Sequence, residues 1–159
     1  MRRKDREITE ENQLRAIMQG CDVCRVALFD DPYPYIVPLN FGVSGAGEPL
    51  ALYFHCAREG RKLDLMRKNP HVSFEMDCAH RLVTGSRACD TTMEYESVCG
   101  NGLLEPCEEW EKAAGLSRVM AHYCGEQPYA FDEGLLRQTA VLRLTVHTVT
   151  AKALKKHDE

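Results

Sequence analysis

The run "LYFHCAREGRKLDLMRKNP" (residues 52–70) sets a histidine, a glycine and two adjacent cations at one junction. Its first part reads as the end of a strand, and its second part as a helix that opens at Arg61. A helix N-terminus presents unpaired N–H groups and the positive end of the dipole, so it attracts anions. Arg61 and Lys62 in that first turn are misplaced for helix stability. They suit a phosphate, Arg as a bidentate fork and Lys as a point charge. Gly60 lets the backbone approach closely, and His55, on the same strand face as Tyr53, adds another donor. The spacing is neither G-x-G-x-x-G nor a Walker motif, so dinucleotide and nucleoside-triphosphate sites of those types are not indicated. On these residues alone the run reads as a solvated basic face, which Arg67 and Lys68 continue.

The preceding strand-like run, "YIVPLNFGV" (35–43), carries Pro38 inside an otherwise strong β pattern. Proline cannot donate to a ladder, so the run lies at an edge or is distorted. Its unpaired backbone groups would then be free to meet a planar polar ring. Other candidates are weaker. His71, His80, His122 and His147 are scattered, and His71 and His147 fall on polar strand faces. Glu94 and Glu96 share a face on either side of Tyr95. No nucleophile has a visible activating base. Of eight cysteines only Cys21 and Cys24 have C-x-x-C spacing, and no second pair completes a zinc set. They read as small buried hydrophobes with a few surface thiols.

These groups need a frame. At 159 residues, 44% apolar and 28% charged, the chain has globular composition. Such a length buries about 68–70% of its unfolded surface. A net charge of −4 argues against non-specific nucleic-acid binding. The charged start "MRRKDREITEENQ" has no apolar signal region, and no window approaches the roughly 18 apolar residues of a membrane helix. A soluble, cytoplasmic protein is expected, with no nucleic-acid or membrane partner.

One domain over 1–159 is predicted, with a helix at about 9–19, a barrel at about 24–105 and 139–152, and a helix at about 107–124. The strands are read at 24–30, 35–43, 50–56, 71–78, 93–105 and 140–154. "HVSFEMDC" (71–78) alternates cleanly, with Val72, Phe74, Met76 and Cys78 on one face. Gly100 and Gly102 interrupt the fifth strand and predict a bulge or a close backbone approach. The 107–124 helix is expected to turn one face of Trp110, Ala113, Ala114, Ser117, Met120 and Ala121 to the core. The segment "GEQPYAFDEG" reads as loop. Short links favour antiparallel neighbours, and closure removes exposed edges. The fold class is therefore mainly β, a barrel with peripheral helices.

"CRVALFDDPYPYIVPLNFG", "LYFHCAREGRKLDLMRKNPHVSFEMD" and "ACDTTMEYESVCGNGLLE", in that order, resemble the pyridoxamine 5′-phosphate oxidase-like FMN-binding split-barrel family. The resemblance is closest to its nitroimidazole-resistance (Nim) branch and spans roughly residues 3 to 152. It implies a six-stranded split barrel that forms a homodimer, with FMN at the subunit interface. It implies that Val37, Pro38, Leu39, Asn40 and Phe41 lie along the isoalloxazine, largely through backbone groups. His55, Cys56, Arg61 and Lys62 would surround the phosphate end, and Ser97 would approach the partner's flavin. Cys56 replaces the more usual Ser or Thr, and a thiol is the poorer donor. The chain ends "TAKALKKHDE", without the Trp- and Arg-containing segment of the true oxidases, so oxidation of pyridoxamine phosphate is not expected. The implied activity is FMN-dependent reduction of a small electrophile such as a nitro compound, with His55 as the candidate catalytic side chain. A non-catalytic flavin-binding or redox-sensing protein, or a split barrel using haem or a deazaflavin, is the alternative.

Overall fold

The computed structural model describes residues 3–155. Among these, eight strands form one antiparallel sheet. They are β1 (Glu7–Ile8), β2 (Cys24–Leu28), β3 (Tyr35–Leu39), β4 (Phe41–Val43), β5 (Ala51–Ala57), β6 (His71–Val83), β7 (Thr92–Pro106) and β8 (Thr139–Leu154). The α-helices are α1 (Glu11–Gln19), α2 (Arg61–Lys68), α3 (Lys112–Cys124) and α4 (Glu133–Gln138). Strand order is β3-β2-β6-β7-β8-β5-β4, with β1 added to the end of β8.

The run expected as one strand over 35–43 is two. β3 pairs with β2, whereas β4 pairs with β5 at the opposite end of the order. Asn40 alone joins them, so the two ends of the sheet are tied covalently and the sheet closes into a barrel. The six expected strands thus become eight, through this division and the short β1. The mainly β split-barrel class stands.

Side-chain alternation explains the interior. Val72, Phe74 and Met76 of β6 are buried, while His71 and Ser73, which alternate with them, are exposed. Val26, Phe54, Val98, Leu142 and Leu144 come from the other strands into the same core. Leu14, Ile17 and Met18 of α1 and Leu63, Leu65 and Met66 of α2 complete it.

Two helical expectations are corrected. The buried face of α3 is Lys112, Gly115 and Val119, one or two positions off the expected stripe. Ala113 and Ala114 are exposed, and Trp110, in a 3-10 turn ahead of the helix, is 81% exposed. Small residues carry no phase when they occur on both faces, so the stripe was set by composition alone. α4 begins inside the segment read as loop, capped by the Asp132 carboxylate, which accepts from the Leu135 N–H at 3.0 Å.

The glycines of the fifth expected strand do mark a bulge. The β7–β8 register shifts between Asn101 and Gly102. A Cβ on Gly102 would lie 2.0 Å from the Thr145 carbonyl oxygen, closer than any side chain allows.

Candidate functional site

The β4–β5 ladder runs Phe41–Phe54, Gly42–Tyr53 and Val43–Leu52. Continued by one residue, it would set Asn40 opposite His55. It stops there, because the chain before Asn40 turns away to pair with β2. His55, Cys56 and Ala57 therefore have β8 on one side and no strand on the other among the described residues. β3 likewise has β2 on one side only. The barrel is split between these two free edges. Pro38 sits on one of them, where its missing N–H costs no ladder bond.

α2 begins across this split. Gly60 caps it with φ +134°, a conformation that disfavours a side chain. Its carbonyl accepts from Leu63 N–H at 2.9 Å, but no side chain caps the first turn. Arg61 reaches the β2–β3 side. Its guanidinium pairs with the Asp30 carboxylate and lies 5.3 Å from the centre of the Tyr35 ring. Lys62 lies on the β5 side. Burial pushes the Cys56 thiol up, and the Lys62 ammonium draws it partly back.

The split brings together nine of the ten residues expected at a cofactor. Val37 and Leu39 are half-buried and turn their side chains to the core. Pro38 and Asn40 are exposed, as is His55. Phe41 is fully buried and stacks on His122, with ring centroids 4.3 Å apart. Its N–H donates to the Tyr123 hydroxyl at 3.2 Å, so that group is already engaged. Ser97 stands apart. It lies in β7, opposite Asp77 and Lys152, three strands from β3 and two from β5. Asp30 and Tyr35, which hold Arg61, were not among the expected residues. They lie 31 and 26 positions from it in sequence, and only the closure of the barrel makes them neighbours.

Chemically, the split offers an edge of free amide and carbonyl groups, then a helix N-terminus with a guanidinium and an ammonium. That donor set fits an elongated ligand with a planar hydrogen-bonding ring at one end and a phosphate at the other. An arginine has five N–H donors, so Asp30 leaves some for a phosphate. Among the described residues, no cluster of three or more His, Cys, Asp or Glu side chains could hold a metal ion. No helix is long and apolar enough to cross a membrane.

A family model described as pyridoxamine 5′-phosphate oxidase matches residues 10–153. An uncharacterised protein of Rhizobium meliloti is 27% identical over 138 residues, 78% of this chain and 85% of that protein. Among solved structures, a candidate 5-nitroimidazole antibiotic resistance protein from Bacteroides thetaiotaomicron is 28% identical with a TM-score of 0.79. The match covers 92% of this chain and 86% of that one. An FAD- and haem-binding protein from Mycobacterium smegmatis superposes with a TM-score of 0.83 at 17% identity, over 97% of this chain and 76% of that one. At that identity the likeness shows the shared fold.

Proposed function

The chain belongs to the pyridoxamine 5′-phosphate oxidase family, and from that premise we propose that it binds FMN in the split and reduces a small electrophile of the nitro-compound type. The observation that carries this reading is the start of α2. Arg61 and Lys62 open an uncapped helix beside two free strand edges. A phosphate there would satisfy first-turn N–H groups and both cations together.

In this reading Arg61 and Lys62 hold the phosphate, with Asp30 and Tyr35 fixing the guanidinium. The backbone of Val37, Pro38, Leu39, Asn40 and Phe41 lies along the ring system, and Cys56 lines the phosphate end. Bound FMN would supply reversible two-electron chemistry, while the chain binds, orients and excludes water. His55 is exposed on the free edge of β5. It is our candidate for the catalytic group, placed to hold or move a proton near the ring or substrate.

Ser97 is too many strands away to reach the same split, which supports a homodimer in which Ser97 approaches the partner's flavin. Likeness to the Bacteroides protein supports the nitro-compound class. Likeness to the Mycobacterium protein keeps FAD and haem as competing ligands.

The test is spectroscopic. The purified full chain should be yellow, release FMN on denaturation, and sediment at twice 18.0 kDa. After reduction, its flavin should be reoxidised faster by a nitroaromatic than by oxygen alone in stopped-flow. A chain that stays colourless after incubation with FMN contradicts the flavin reading. A flavin-loaded monomer contradicts the interface placement, and equal rates contradict the substrate class.

A further inference from the structure

α2 has a second side. Away from Asp30 and Tyr35, it walls a cleft of about 420 Å³ closed by the end of β7, the start of β8 and the start of α3. Leu63, Met66, Leu104 and Leu142 give it an apolar floor. That volume is near the lower end for small-molecule sites, which are mostly apolar with a few placed polar groups.

The placed group here is Lys112. Its side chain is only 7% exposed, an unusual position for an ammonium. It follows the 3-10 turn Glu109–Glu111, whose first N–H groups the Glu108 and Glu111 carboxylates already cap. An ammonium has three N–H donors, and the structure gives this one two acceptors. One is the Glu109 carboxylate at 2.7 Å and the other is the Leu136 carbonyl at a long 3.4 Å. Glu109 is itself 71% exposed, so water screens that partner. Its hydrogen bond to Lys112 holds the Glu109 carboxyl below its ordinary value.

The rest of the rim is unevenly charged. Arg58 and Arg67 stand with Lys112 against Glu105 and Glu109. Arg58 donates to the Arg137 carbonyl and Arg67 to Asp64, so both are anchored rather than free to leave. An anion entering beside Lys112 would meet the third ammonium donor over an apolar floor.

We propose that this cleft binds a small amphipathic carboxylate, with its carboxylate on Lys112 and its apolar part over Leu63, Met66, Leu104 and Leu142. The site is separate from the split and does not depend on a flavin.

The test is titration of the full-length chain with octanoate, and with 1-octanol as the uncharged match. Trp110, the chain's one tryptophan, precedes Lys112 by two residues and reports by fluorescence, with calorimetry as the second readout. Octanoate should bind at least about tenfold more tightly than octanol, as a charge-assisted bond requires. Lys112→Met should erase that preference and leave octanol unchanged. Glu109→Gln, at an exposed position, should tighten octanoate binding by removing the competing carboxylate. Three results overturn the proposal: no saturable octanoate binding, equal affinity for the two probes in the unaltered chain, or unchanged or weaker octanoate binding in Glu109→Gln.

Discussion

Cys107 follows β7 directly and is buried, and burial pushes its thiol up to about 11 from the ordinary 9.0. Burial also pushes up the Cys21 and Cys24 thiols, and Tyr53 from its ordinary 10.0. A group whose folded value is raised stabilises the fold fully below its unfolded value. That contribution is lost as pH rises through the folded value. The urea midpoint should therefore fall as pH climbs from 9 toward 11, and fall less in Cys107→Ala. A midpoint flat across that window, or equally steep in the variant, contradicts this assignment. Cys21, Cys24 and Cys107 are the small buried hydrophobes expected, and Cys89, Cys99 and Cys124 the surface thiols. Asp30 and Tyr35 were not legible as partners of Arg61. Asp30 reads locally as the end of one strand and Tyr35 as the start of the next, and the ion pair and ring contact exist only once α2 crosses the split.

At the scale of elements, the site depends on strands that change partners. Pro38 announced an edge, and β3 is one. The change of partner at Asn40 left no mark in the pattern, since apolar residues continue on both sides of it. The β7–β8 bulge is the second such device. It lets the long β8 run past the barrel interior and on to β1. Gly102→Ala would force a Cβ against the Thr145 carbonyl oxygen. Overpacking of this kind costs roughly 1–3 kcal/mol, sometimes more. Urea unfolding should show that loss, and an unchanged midpoint would mean that the bulge relaxes freely. The phase of α3 was misread because alanine fits either face. Its inward side chains include Lys112, which hydropathy alone assigns to solvent.

At the scale of the molecule, one chain closes a barrel and leaves it split where β3 and the end of β5 part. The residues singled out from the run at 52–70 and the strand before it meet there. Ser97, from a third segment, does not. The alternation of β6 and the short links made the barrel readable. The meeting of α2 with both free edges follows from closure, which periodicity does not encode. The phosphate end of that split carries the proposed function. Its most direct test is equilibrium binding of FMN and riboflavin to the unaltered chain and to the double variant Arg61→Ala, Lys62→Ala. Charge-assisted hydrogen bonds contribute roughly 1.5–3 kcal/mol each, so FMN affinity should fall about a hundredfold or more. Riboflavin, which lacks the phosphate, should hold within about twofold, since its loss of these bonds is nil. Equal losses for the two ligands would contradict a phosphate role for the start of α2.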